Sequence, residues 1–298
     1  MLFLLGLCLG SFLNVCIYRI PLGISVVSNS SFCPNCSRRL RWRELIPVLS
    51  YLLLKGKCRT CSTRIPALYP VIELSTGILL VLLFALLGLS RVSIYYAAYF
   101  LMMFPIAVID WRHLIIPNRL LIVLVVLGLF FQAALFPANP TQSHSDQAFE
   151  NSISTANGGF LFSIGSSLFA LCAMLLLRLC GNLLFHKETL GMGDIKLAAV
   201  VGLFLGIQDF LICLWLSALI GSIYGIARAR FSQFSASTQF AIPASSARSR
   251  DPKSENGRFV RDSVQIPFGS FLAATSSAVL LLQVPVHGLI SSCLIFLQ

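Results

Sequence analysis

The sequence predicts an all-α polytopic membrane protein: about eight transmembrane helices, with a small cytosolic zinc-binding (four-cysteine) domain inserted after the first. Three observations carry this. Hydrophobic residues make up 57% of the 298 and charged ones 11%, with a mean hydropathy of +0.85, which excludes a soluble domain. Several unbroken apolar runs reach the roughly 20 residues that cross the hydrocarbon core as helix, where a barrel would alternate apolar and polar positions. After the first run the composition switches abruptly to Cys, Arg and Lys.

The first helix is expected over residues 1–20, since Leu2 to Ile20 is apolar and Pro21 disfavours helical geometry in the residue before it. No basic residue precedes it and Arg19 closes it, the reverse of a secretory signal, so it reads as a retained helix with its N-terminus outside. Residues 21–68 form an aqueous domain. Cys33-Pro34-Asn35-Cys36 and Cys58-Arg59-Thr60-Cys61 have the knuckle spacing of a four-cysteine zinc site. Disulfides or unpaired thiols are the other readings, and a reducing compartment disfavours the first. The other six of the 10 cysteines, Cys8, Cys16, Cys172, Cys180, Cys213 and Cys293, stand in apolar segments as packing residues.

Apolar runs resume at about 69–89, 92–110, 119–136, 158–180, 195–207, 208–227 and 266–284, making the membrane core 69–298. Alternating sides from the first helix puts 21–68, 111–118, 181–194 and 228–265 in the cytosol. That arrangement places 21 of the 22 Lys and Arg at cytosolic loops or helix ends, Arg91 being the exception, while 137–157 holds Asp146 and Glu150 and no Lys or Arg. The net charge of +11 is thereby a statement about orientation and does not call for nucleic acid. The run 195–207 is short, about 20 Å of helix, so the Gly-Met-Gly-Asp stretch before it is expected at membrane depth in a polar cavity. Residues 228–265 show no periodicity and are expected to be a disordered loop. No internal repeat is apparent.

Two acids stand at the cytosolic ends of these runs. Asp110 closes the third and Asp194, in Gly191-Met192-Gly193-Asp194-Ile195-Lys196, opens the sixth. A lone acid there has a bland reading, as an interfacial group or a helix cap; a charge within the bilayer costs about 2.5–3.5 kcal/mol on insertion scales and marks a functional site by default. Two on one side at one depth can meet as an aspartic-protease pair, in which one carboxyl keeps a proton and the other activates water. Gly191 and Gly193 suit a backbone that turns tightly or admits a peptide beside Asp194. Lys196 either snorkels to the headgroups or serves the site.

These landmarks, with Gly10-Ser11-Phe12-Leu13-Asn14-Val15, Tyr18-Arg19, Ile46-Pro47-Val48-Leu49-Ser50, Tyr69-Pro70, Glu73, Pro117 and Ile266-Pro267-Phe268-Gly269, resemble the bacterial type IV prepilin peptidases in order and over nearly the whole chain. These are bifunctional leader peptidases and N-methyltransferases of type IV pilus and type II secretion systems, with a GxGD aspartyl site. The resemblance implies that Asp110 and Asp194 are catalytic and that prepilins and pseudopilins are the substrates. It further implies cutting after a glycine on the cytosolic face of the inner membrane, then methylation of the new amine from S-adenosyl-L-methionine. The family usually has Asp where this chain has Asn118. Glu73 is a candidate for the methyl-transfer site or leader recognition, and equally an interfacial or hydrogen-bonded acid. No glycine-rich nucleotide loop is present. A protease of the signal-peptide-peptidase kind would carry Tyr before Asp110 and Pro-Ala-Leu after Asp194; the chain has Ile109 and no such triplet. A proton-coupled transporter would leave the cysteine domain without purpose. Oligomeric state is not legible.

Overall fold

The structure is a computed structural model that describes residues 1–27, 31–135, 159–239 and 267–296. Its long helices are α1 (Leu2–Arg19), α3 (Leu68–Leu87), α4 (Arg91–His113), α5 (Asn118–Leu135), α6 (Gly159–Phe185), α7 (Met192–Leu205), α8 (Ile207–Gln239) and α9 (Phe268–Phe296). Between α1 and α3 lies the cysteine domain, with a 3-10 turn (Trp42–Glu44) and the short α2 (Leu49–Leu53). Among the described residues there is no strand, only the isolated bridges Phe32–Arg39 and Lys57–Arg64. Among the described residues each expected apolar run overlaps one of these helices, with α8 and α9 running well beyond the expected ends. Five of them, α1, α3, α4, α6 and the Ile207–Arg228 part of α8, are long and apolar enough to cross a membrane. The apolar stretches of α5 and α9 are shorter, and α7 has 14 residues.

The short α7 has a physical reason. It is hydrophobic on every side, and Ile195, Leu197, Ala198 and Val200 to Leu205 are all buried, because α5, α6, α8 and α9 pack around it. A helix apolar all round is a core helix, so α7 need not match the lipid thickness. Phe204 on α7 stacks on Tyr95 of α4 at 5.1 Å between ring centroids and tilts against Tyr99 at 4.8 Å. The buried Tyr95 hydroxyl donates to the Phe204 carbonyl at 3.2 Å and accepts from Gln132 of α5 at 3.0 Å, so a polar seam ties α4, α5 and α7 where no water competes. Outward faces carry exposed Ile122, Val126, Phe130, Leu161, Leu176, Leu183 and Ile223, as a lipid-facing surface requires.

α1 and α3 approach through small residues. A Cβ at Gly6 would sit 2.6 Å from Gly77 Cα, and one at Gly10 2.7 Å from Glu73 Cα, so neither position has room for a side chain. Thr76 Oγ1 donates within this seam, 2.9 Å from the Gly6 carbonyl. The spacing Gly6-x-x-x-Gly10 is that of close-packed membrane helices.

Three expectations change. α4 runs on to His113, which puts Asp110 inside the last turn instead of at the helix end. α8 continues to Gln239, so 228–239 is helix and not loop: with no Gly or Pro between Arg228 and Gln239, nothing stops propagation. The remainder of the expected loop, and 137–157, lie outside the described residues. Third, the chain does contain a repeat. Cys-x-x-Cys-Ser-x-Arg occurs at Cys33 and again at Cys58, and each copy folds into the same knuckle.

Candidate aspartyl active site and cysteine domain

Asp110 and Asp194 meet at the N-terminus of α9. A Cβ on Gly269 would lie 3.0 Å from Asp194 Oδ1 and 3.1 Å from Asp110 Oδ2, so those oxygens are no more than about 6 Å apart, the sum of the two distances. The same point is 2.7 Å from Ile116 Cδ1, and a side chain there would push the acids apart. Helix N-termini leave amides unpaired, and here the carboxylates take them. The Ser270 N–H donates to Asp110 Oδ2 at 2.6 Å, while the Gly191 and Gly269 amides are directed at Asp194. Asp194 is the third residue of α7 and Gly191 its N-cap, the reciprocal half of a capping box. This explains the Gly-x-Gly-Asp spacing differently from a tight turn, since Gly191 has an ordinary φ of -69°. A Cβ there would come within 3.1 Å of Asp194 Oδ2, and one at Gly193 within 3.0 Å of Ile116 Cβ. Both glycines make room for the acid and its wall.

Lys196 is not brought to the acids. Its Nζ donates to Asn118 Oδ1 at 3.1 Å, in an exposed contact that fastens the start of α5 to the start of α7. Asn118, where the resembled family has an acid, is thus a neutral partner for this lysine. Beside Asp110, Trp111 of α4, Tyr224 of α8 and Phe271 of α9 form an aromatic brace with ring centroids 5.4–6.0 Å apart.

Ser270 is the site residue that sequence reasoning missed. Pro267 before a helical run signals a helix start, but nothing local shows that this start folds back on a residue 160 positions away. Ser270 Oγ lies 2.8 Å from Asp110 Oδ2 and 2.9 Å from the Ala107 carbonyl. Its one hydrogen can go to the carboxylate when Asp110 is ionised and to the carbonyl when Asp110 carries the proton. Hydrogen bonds to a charged group contribute about 1.5–3 kcal/mol, so Ser270→Ala is expected to slow any reaction at the dyad about tenfold or more. It should also move the acid limb of the pH–rate profile upward, because the ionised form loses a donor; Thr should restore both. An unmoved profile in a slowed variant would make Ser270 merely structural.

In the cysteine domain the four sulfurs of Cys33, Cys36, Cys58 and Cys61 all lie within 4.8 Å of one another, with Cys33 and Cys61 Sγ at 3.7 Å. A tetrahedron of thiolates at about 2.3 Å from a metal has edges of about 3.8 Å, so the cluster has the size of a metal site, and none of its members is in a disulfide. Each knuckle closes identically. The Ser37 and Ser62 amides, at φ of 55° and 56°, donate to the Cys33 and Cys58 carbonyls at 2.9 and 3.0 Å. The Thr63 hydroxyl and amide, helped by Asn35, hold Cys61 down at about 5. For Cys36 the Arg38 amide favours the thiolate, but burial and the neighbouring sulfurs outweigh it and push the group up to about 11. Four crowded thiols cannot all shed protons without a cation to bind them. Arg38 pairs with Glu44 at 2.8 Å, and this guanidinium holds the Glu44 carboxyl below its ordinary value.

Glu73 lies in α3 against this domain and is buried. Its Oε2 accepts the Val48 N–H at 2.7 Å, and Ser11 and Asn14 of α1 also reach it. Val48 has a φ of 59°, which a β-branched residue adopts at a cost of about 1–3 kcal/mol. A cavity of about 230 Å³ opens beside Glu73, between α1, the cysteine domain and α3.

Residues 4–87 match the family described as bacterial peptidase A24 N-terminal domain, and 97–226 match the type IV leader peptidase family. The chain is similar to proteins named prepilin leader peptidase/N-methyltransferase: 36% identical over 76% of its length to that of Bacillus subtilis, covering 81% of the relative, and 35% over 70% to that of Klebsiella pneumoniae, covering 85%. With that of Myxococcus xanthus it is 34% identical over 76% of its length, and the match spans 61%, less than two thirds, of that longer protein. No solved structure matches. With both parts matched in order and the two acids brought together between α4, α7 and α9, the chain belongs to the type IV leader peptidase family.

Proposed function

We propose that this protein is a membrane aspartyl endopeptidase that removes the leader of type IV prepilins and pseudopilins, and an N-methyltransferase acting on the amine so exposed. The observation that carries the peptidase reading is the convergence of Asp110 and Asp194 on Gly269. Two carboxyls this close do not readily ionise together, so one holds a proton. The ionised one draws a proton from water, whose oxygen attacks the scissile carbonyl; the protonated one hydrogen-bonds the carbonyl oxygen as charge develops there, and then protonates the leaving nitrogen. The amides at the starts of α7 and α9 hold the carboxylates without competing for substrate. Gly191 and Gly193 shape the surroundings, Lys196 with Asn118 keeps α5 and α7 in register, and Glu73 stands apart from the acids, at the contact of α3 with the cysteine domain.

Zinc is the metal that suits four thiolates in a closed tetrahedron, held by Cys33, Cys36, Cys58 and Cys61, where it would cross-link two knuckles too small to fold by burial alone. S-adenosyl-L-methionine is the methyl donor the relatives' name implies, supplying a methyl group on a positively charged sulfur. The distribution of basic residues supports an inner-membrane location with the dyad on the cytosolic side. A signal-peptide-peptidase-like protease or a proton-coupled transporter accounts for neither the cysteine domain nor its contact with α3.

Purified protein incubated with a synthetic prepilin and labelled methyl donor reads both reactions. A shortened pilin bearing the label is the expected product, and intact prepilin throughout would overturn the peptidase reading.

A further inference from the structure

We propose that Ile116 decides which residue can precede the scissile bond, by filling the space beside the dyad that a side chain on that residue would need. This rests on the peptidase reading above, and it names the residue that imposes the glycine which the resemblance implies before the cut. Ile116 stands in the linker between α4 and α5, outside both helices. Its neighbours Leu114 and Ile115 are exposed, whereas Ile116 is turned in and half-buried. What it turns toward is the pair of acids. The point where a Cβ on Gly269 would sit has Ile116 Cδ1 at 2.7 Å, Asp194 Oδ1 at 3.0 Å and Asp110 Oδ2 at 3.1 Å, so that methyl is no more than about 6 Å from either oxygen. The corresponding point on Gly193 is 3.0 Å from Ile116 Cβ and 3.3 Å from its Cδ1. The isoleucine is thus wedged between the glycine that precedes Asp194 and the glycine that precedes Ser270.

Discrimination by size needs a wall that does not yield, and this one is held on every side. A β-branched side chain is stiff at χ1, and Pro117 confines the backbone of the residue before it to extended conformations. Upstream, Leu114 caps α4 at a φ of 55°, its amide donating to the Asp110 carbonyl at 2.8 Å. Downstream, Asn118 accepts from Lys196 of α7 at 3.1 Å. The linker is thereby fastened at one end to the residue that bears one acid and at the other to the helix that bears the second. The carbon under attack must come within about 3–3.5 Å of the water held by the dyad, and the Cα before it is bonded to that carbon at about 1.5 Å. The residue before the cut therefore has its Cα within reach of the Ile116 methyl, and the volume that a Cβ would take is the volume that this methyl occupies. Glycine asks for none.

The test uses the full chain in lipid nanodiscs and two synthetic prepilins that differ only in the residue before the cut, Gly in one and Ala in the other. The unaltered protein is expected to show a kcat/KM at least about tenfold higher for the Gly substrate, and Ile116→Ala to lower that ratio by about tenfold. Ile116→Val, which keeps the branched Cβ facing Gly193 and removes only the Cδ1 methyl, should fall between them. Each protein is its own reference, so a general loss of activity from loosened packing does not move the ratio. An unaltered protein with no preference overturns the proposal. So does a ratio unchanged in both variants, since glycine would then be chosen for its backbone freedom and not for its missing side chain. A Val variant that no longer cleaves the Gly substrate overturns it as well, by making Ile116 a support of the dyad and nothing more. If the unaltered protein cleaves neither prepilin, the peptidase reading itself has failed.

Discussion

Asp194→Asn, inserted and folded, is expected to cleave prepilin at least 10² to 10⁴ times more slowly than the unaltered protein, about the contribution of general acid–base catalysis, and Asp110→Asn likewise. Asn keeps the shape of the side chain and one acceptor oxygen, so one of the Gly191 and Gly269 amides can remain satisfied. What disappears is the proton that the two carboxyls exchange. The double variant should therefore be little worse than either single one, because half a dyad does nothing by itself. In the unaltered protein the rate should be bell-shaped in pH, falling at low pH as both carboxyls become protonated and at high pH as both ionise, with the two limbs belonging to the pair. Both variants should retain metal, since neither acid belongs to the cysteine cluster. If Asp194→Asn retains a rate within a few-fold of the original, the aspartyl mechanism is wrong and another nucleophile must be sought.

Cys58→Ser should strip stoichiometric metal from the protein and unfold the cysteine domain while leaving the helical core in place. The domain has little else to hold it: Cys33 and Cys58 are its buried apolar residues among those described, and its Trp42, Leu49, Leu52 and Leu53 are exposed. Structural zinc in comparably small units contributes apparent binding energies of about 10–16 kcal/mol, so one lost ligand exceeds anything the surrounding hydrogen bonds can offset. Hydrogen exchange should rise across 31–66 and remain slow in α4 and α7. Cys172→Ser, on the exposed side of α6, should do neither. Acid should act in the same direction. It reprotonates the thiolates, and it weakens the Arg38–Glu44 pair, whose stabilisation is present above the ordinary Glu value of 4.5 and is lost as pH falls through the lower folded value. An active, folded preparation without metal would refute the assignment.

The helices, the cysteine cluster and the two acids are all readable along the chain because each rests on local chemistry. Apolar runs of bilayer length leave helix as the only way to satisfy the backbone; a Cys-x-x-Cys knuckle closes within a few residues; an acid at the end of an apolar run is conspicuous wherever it points. The glycines of Gly191-Met192-Gly193-Asp194 also stand out in the sequence; in the structure Gly191 has an ordinary φ of -69°, and the two clear space for a carboxylate and for Ile116. The long-range relations had no such signature. That α7 is short because it is encircled, that Lys196 answers Asn118 and not an acid, and that the first turn of α9 supplies an amide to each carboxylate depend on contacts between separate helices, 78 residues apart for Lys196 and Asn118 and 160 for Ser270 and Asp110. The extension of α8 past Arg228 was hidden for the opposite reason, since a polar helix continuing from an apolar one has no periodicity to betray it. Ser270 shows the limit most plainly. Serine at the third position of a helix is unremarkable in the chain, and only the packing of α9 on α4 turns its amide and hydroxyl into the partners of Asp110.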